Sequence, residues 1–333
     1  MTDNVRPVVV TLGETMGSFI ARERGPMPET SDFLRTVAGA EANVAVGLAR
    51  LGVPAAYIGR VGPDGLGTTI LRRLRGEGVD VRHLRVDEAA TTGVMIRDLR
   101  DVGPSEVIYW RAGSAGSRLS AGDVEAAGEL IDRAAWLHIT GITPALSTDA
   151  ASAVDAAVSR ARGAGTTISI DINIRLRLWS EAQARSALAP LVGRCDVALG
   201  GVEELAVVAG LVDTLAEGTT VDPGDAADAT LALGPEVVVV KLGADGALER
   251  RRSGAVSVPA FAVTHVVDPV GAGDAFTAGY IASVLEGRSS SDALTVANAC
   301  GAAAVATLGD QSGLPTRTEL DRLTGRGGLD TLR

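Results

Sequence analysis

A chain of 333 residues, 46% of them hydrophobic, is long enough for one large α/β domain or two ordinary ones, with a sizeable core. Its formal charge of −10 argues against a general nucleic-acid binder, and no run of about 18 apolar residues offers a membrane span. Two cysteines (Cys195, Cys300) and three scattered histidines (His83, His138, His265) argue against a disulfide framework or a zinc cluster.

The opening MTDNVRPVVV has no apolar signal core, so a cytoplasmic chain is expected. RPVVVTLGE reads as the first strand. Residues 14–37, with MGSFIAR, keep strand character without a helix. ANVAVGLARLG reads as a helix closing at Gly52, AAYIGRVG as a strand, and GLGTTILRRLRGEG as a helix closing at Gly78. Residues 91–112 (TTGVMIRDLR, EVIYWRAG) are again strand-like with no intervening helix. These two segments suit antiparallel strands projecting as a small lid. AAWLHITG, TTISIDINIR, CDVALGG and EVVVVKLG follow as strands, separated by the helical STDAASAVDAAVSRARGAG, closing at Gly165, and SEAQARSALAPLVGR. TRTELDRLTGRGGLDTLR reads as a last helix with a frayed end. Nearly continuous apolar strands alternating with helices predict a doubly wound, mainly parallel α/β sheet with helices on both faces. The expectation is one domain over 1–333, with the lid segments 14–37 and 91–112 inserted.

VVDPVGAGDAFTAGYI, residues 266–281, concentrates chemistry. VVD reads as a strand end and DAFTAGYIASVLEG as a helix, so the VGAG turn falls at a helix N-terminus, where free N–H groups and the dipole favour an anion. Asp274 follows at once. It either caps the helix or serves as a base. Phosphoryl transfer reconciles acid and anion site, because a base that deprotonates an attacking hydroxyl must lie beside the transferring group. No GxxxxGK[ST] occurs, so this is not a P-loop enzyme, and no GxGxxG follows the first strand as a redox enzyme would need.

VAGAEANVAVGLARLG, IGRVGPDGLGTTILRRLRGEGVDV and DPVGAGDAFTAGY occur in that order along the chain, as in the ribokinase-like (PfkB) carbohydrate kinases, which the chain resembles from about residue 8 to 316. The resemblance implies a sugar kinase with a β-lid that closes over the sugar. It implies Asp274 as catalytic base, and Gly271, Ala272 and Gly273 as the backbone anion hole. It places Asn298 (TVANACGAAAV) and Lys241, Gly243 and Gly246 (KLGADG) in the nucleotide region. ATP and Mg²⁺ are implied, with a monovalent cation such as K⁺ beside the anion hole, and a homodimer through the lid follows by analogy. Glu204 in GGVEEL matches the metal-side Glu of the family's Asn-x-x-Glu motif, whereas Gly201 stands where Asn is common.

YWRAGSAGSRLS and DINIRLRLWS resemble segments of the 2-keto-3-deoxygluconate kinases within that family. Tyr109 and Arg111, two apart, would share one face of a strand, as would Asp171, Asn173 and Arg175, with Ile172 and Ile174 opposite. Two arginines would suit an acceptor bearing a carboxylate; for either one, a solvated or salt-bridged surface position is the plainer alternative. Asp310 in LGDQSGLP matches an acidic substrate-side position, and Gly39 and Asn43 match sugar-contacting ones. Met95 departs from the tyrosine usual there. The alternatives are a fructokinase, ribokinase or other neutral-sugar kinase, or a sugar- or nucleotide-sensing protein without turnover.

Overall fold

A computed structural model describes residues 9–103, 105–213 and 220–325. The strands, in chain order, are β1 (Val9–Leu12), β2 (Met16–Arg24), β3 (Phe33–Ala38), β4 (Ala55–Val61), β5 (Leu84–Val86), β6 (Val94–Leu99) and β7 (Val107–Trp110), then β8 (Trp136–Thr140), β9 (Thr167–Asp171), β10 (Val197–Gly201), β11 (Val237–Lys241), β12 (Ala247–Arg251) and β13 (Gly254–Val258). Nine of them make one sheet in the order β13-β12-β11-β10-β9-β8-β1-β4-β5. Its strands run parallel except at one edge, where β12 returns antiparallel to β11 and β13 to β12.

β1 and β8 are buried at every position, as expected of strands covered on both sides. Alternation then splits the core in two. Val9, Tyr57, Val197 and Val239 pack on one face with the helices Ala40–Arg50, Ala272–Leu285 and Ser290–Val305. Val10, Ile58, Ile170 and Val238 face the helices Thr148–Ala164, Glu181–Val192 and Pro223–Leu233. Gly52, Gly78 and Gly165, the anticipated helix stops, all have left-handed φ, between 73° and 84°. A doubly wound α/β architecture is therefore present.

The second sheet, β3-β2-β6-β7, uses chain from the two segments lacking helices. Its outer pairs are antiparallel, but the central pair β2–β6 is parallel, contrary to the all-antiparallel expectation. The reason lies in the chain entries. β2 leaves the main sheet just beyond β1, and β6 follows β5, and these two parallel strands both finish at the carboxyl end of that sheet. A second correction concerns VVD, which is not a strand. Val267 and Asp268 both donate their N–H to the Val305 carbonyl, at 2.8 and 3.1 Å, and Val266 is 62% exposed, so no neighbouring strand covers the segment. Sequence periodicity also passed over β5, β12, β13 and the helix Ser290–Val305. The tail is helical over Arg317–Leu323, and its expected frayed end lies outside the described residues.

No helix among the described residues is long and apolar enough to cross a membrane.

Candidate active site

The carboxyl ends of β1, β9 and β11, the turn before Ala272–Leu285, and the inner face of the second sheet enclose a cavity of about 410 Å³. Ligands of parallel α/β sheets bind beyond these strand ends.

Asp274 lies in the first turn of its helix and is 9% exposed. It does not cap that helix. Gly271 is the N-cap residue, and the Asp274 carboxylate accepts the Asn43 amide N–H at 2.8 Å. Gln311 in turn donates to the Asn43 oxygen at 3.1 Å, so both ends of the Asn43 amide are fixed. Burial, offset in part by the Asn43 bond, pushes the Asp274 pKa up to about 7. A carboxyl group poised near neutrality suits a general base.

Gly271 has φ 83°, and a Cβ there would lie 2.5 Å from the Asp310 carbonyl oxygen, so neither the conformation nor the space admits a side chain. Gly271 and Gly273 line the cavity. Ala272 is not among the lining residues, and its N–H bends back toward the Pro269 carbonyl at 3.4 Å. Lys241, the chain's only lysine, ends β11 and ties the turn down: its ammonium donates to Asp171 at 2.5 Å, to the Gly273 carbonyl at 3.0 Å and to the Thr277 hydroxyl at 3.0 Å. A positive charge thus sits one residue from the base.

The residues expected on the acceptor side, Gly39, Asn43, Tyr109, Arg111, Arg175 and Asp310, all line this cavity, together with Met95. The strand reading of DINIR fails past Asp171, where β9 ends and Asn173 turns with φ 41°. Asp171, Asn173 and Arg175 nevertheless line the cavity, while Ile172 and Ile174 enter the core. The two arginines differ. Arg111, its guanidinium 5.4 Å from the Tyr109 ring centre, is already held by the buried Glu14 through Nε at 2.7 Å and Nη2 at 2.5 Å. Arg175 is exposed, reaches only the Ile174 carbonyl at 3.4 Å, and makes no ion pair among the described residues. Its charge nevertheless acts on the buried Glu204, opposing the rise of that pKa. Asp310 is buried, one of its oxygens lacks a partner, and burial lifts its pKa to about 6.

Of the nucleotide-side candidates, Lys241 is brought instead to the cavity that holds Asp274, while Asn298, Gly243 and Gly246 lie elsewhere. Asn298 donates to the Val258 and Pro259 carbonyls at 3.3 and 3.0 Å, fixing the exit of β13. Gly243 and Gly246 bound the turn between β11 and β12, both with left-handed φ, and neither lines the acceptor cavity. Next to Asn298 in sequence, Ala299 joins Phe261, Val263, Ala302 and Ala303 in lining an apolar cleft of about 510 Å³. Glu204 lines the acceptor cavity, but its oxygens accept the Ile174 and Gly201 N–H groups at 2.9 and 3.1 Å. Burial, and then the Asp171 charge, raise its pKa. No cluster of three or more His, Cys, Asp or Glu able to hold a metal occurs among the described residues. Carboxylates that line the cavity without converging on one point fit a Mg²⁺ ion that would keep several of its waters. Glu14 ends the first strand in LGE, as read from the sequence, whereas Gln311 and the contact of Lys241 to Asp171 were not legible as site features.

Residues 7–317 match the model of the pfkB family carbohydrate kinases. Over 313 residues, 93% of each chain, the protein is 39% identical to the 2-dehydro-3-deoxygluconokinase of Bacillus subtilis. It is 36% identical to the enzyme of that name from Thermoproteus tenax over 95% of this chain and 93% of the relative. Among solved structures, it resembles an E. coli protein assigned the name Ribokinase II, in complex with ATP and Mg²⁺, with a TM-score of 0.86, 29% identity and coverage of 96% and 99% of the two chains.

Proposed function

Since the chain belongs to the pfkB family of carbohydrate kinases, we propose that it phosphorylates a hydroxyl of a sugar acid of the 2-keto-3-deoxygluconate (2-dehydro-3-deoxygluconate) type at the expense of ATP. The observation that carries the acidic acceptor is Arg175, a guanidinium without an ion-pair partner among the described residues at the cavity that also contains Asp274. A carboxylate can take both of its N–H edges, which a neutral sugar cannot. The names of the Bacillus and Thermoproteus relatives agree with this reading.

In the mechanism, Asp274 takes the proton of the acceptor hydroxyl as its oxygen forms the new bond to the γ-phosphorus, and the bond to the β,γ-bridging oxygen breaks to release ADP. The turn at Gly271–Gly273 and the Lys241 ammonium lie where negative charge gathers on the moving phosphoryl group. Asn43 aims the Asp274 carboxylate. Bound Mg²⁺ would neutralise phosphate charge, with Glu204 and Asp171 holding it through water. Glu14 and Asp310 offer carboxylate acceptors to sugar hydroxyls, and Tyr109 with Met95 forms an apolar wall. The adenine base would enter the apolar cleft at Ala299–Ala303, beyond the Gly243–Gly246 turn. The second sheet would act as the lid over the acceptor and as the surface through which two copies pair, and a cytoplasmic location suits an ATP-consuming enzyme. A monovalent cation beside the turn is the remaining expectation to test.

The deciding experiment is Mg-ATP turnover with 2-keto-3-deoxygluconate, 2-keto-3-deoxygalactonate, gluconate, fructose and ribose. A higher kcat/KM for the keto-deoxy acids supports the proposal. Preference for fructose or ribose would leave the kinase standing and overturn the acidic acceptor.

A further inference from the structure

A positive charge is built into the protein beneath the anion turn. Asp268, three residues before Gly271, is fully buried. One of its oxygens accepts the Val270 N–H at 3.1 Å, and the other accepts the Gly309 N–H at 2.9 Å together with the guanidinium of Arg97. Arg97 comes from β6 of the second sheet and is 3% exposed. Asp310, the neighbouring acid of the cavity, feels the same guanidinium, which opposes the rise of its pKa. One cation therefore serves two buried carboxylates on the two loops, 268–271 and 309–311, that border the acceptor. The Arg97 Nε and one Asp310 oxygen have no partner, although both are buried. Incomplete satisfaction of this kind is uncommon in a purely structural network.

Such a nook is where a bound monovalent ion would be sought, but the donor set does not suit one. The Asp268 carboxylate is already neutralised by the buried Arg97 guanidinium, and a K⁺ ion placed on it would lie beside that like charge. We propose that Arg97 is a positioning residue whose guanidinium does the work of such an ion: acting through Asp268, it holds the Pro269–Gly271 turn against the cavity, so that turnover does not depend on K⁺. The pair also joins β6 to the turn, so the second sheet and the anion site share one anchor. This inference rests on the phosphoryl-transfer reading of the turn.

The test is a salt series on the intact enzyme with Mg-ATP and its best acceptor, at constant ionic strength in potassium, sodium or tetramethylammonium chloride. Wild-type kcat is expected to vary by less than about twofold across the three, with no bound ion to lose. Arg97→Met should lose roughly tenfold or more in kcat while acceptor KM moves little, and Arg97→Lys should recover most of it, because the contribution belongs to the transition state rather than to substrate binding. Added guanidinium should restore part of the Arg97→Met loss. Activation of the wild type by K⁺ beyond about fivefold would overturn the inference, as would wild-type kcat in Arg97→Met. If Arg97→Met does not fold, the wild-type salt series and Arg97→Lys still decide. Absence of wild-type turnover in every salt would instead overturn the kinase reading beneath it.

Discussion

Asp274 combines three local circumstances: burial, one amide hydrogen bond from Asn43, and an ammonium group nearby. Because burial lifts its pKa to about 7, the base is ionised only on the alkaline side. The kcat/KM for the acceptor should therefore climb as pH rises through about 7, which a pH–rate profile will show. Asp274→Asn should lose at least about a hundredfold in kcat, the lower end of general-base contributions, while ATP binding measured by calorimetry persists. Arg175→Ala should raise KM for the acidic acceptor by roughly tenfold, the scale of losing a charged hydrogen bond, and leave neutral sugars unaffected. Asp274 was legible in the sequence because turn, acid and helix start lie within a few consecutive residues. Arg97 and Gln311 were not, because their partners lie 171 and 268 residues away and only folding brings them near.

Elements set the positions that these residues exploit. The helix Ala40–Arg50 carries both Asn43 and Glu41, and Glu41 is pinned by the hydroxyls of Thr140 at 2.7 Å and Thr143 at 2.5 Å. Its entry at Gly39 is tight: a Cβ would lie 2.5 Å from the Glu14 carbonyl oxygen. Backbone faces backbone there, so relief requires moving the helix start or the link between β1 and β2. Gly39→Ala should therefore cost both thermal stability and kcat, readable by calorimetry and by turnover, with ATP affinity less affected. The parallel strands were legible because burial on both faces leaves continuous apolar runs. β12 and β13 were not, since ALERR and GAVSV mix charge and small residues at a sheet edge. The parallel β2–β6 pairing was equally hidden: strand direction follows from where the chain leaves the main sheet, which composition does not encode.

Across the whole molecule, the acids of the site bear on stability. The folded-state pKa of Asp274 is raised above its ordinary value of 3.8 to about 7, and that of Asp310 to about 6. The associated stabilisation is fully present below about pH 4 and is lost as pH rises through 6 to 7, where buried carboxyls must ionise. Asp274→Asn removes one such charge and keeps an oxygen for the Asn43 N–H. Its Tm should exceed that of the wild type at pH 8, by roughly 2–4 °C per kcal/mol recovered, and approach it at pH 5. An equal or lower Tm at pH 8 would show that the carboxylate is well compensated in the fold. The site thus trades rigidity for a reactive base, the bargain expected where sequence, burial and chemistry disagree.

The solitary lysine has a practical corollary. Since every other basic side chain except histidine is arginine, an amine-directed acylating reagent has one side-chain target, and that target touches the turn beside the base. Lys241 is mostly covered by Asp171, Gly273 and Thr277, so labelling at this position should be slow, and slower still with a phosphorylated ligand in place. The increment on the peptide that carries Lys241, followed over time and separated from labelling of the α-amine, would then report occupancy of the centre without any engineered probe.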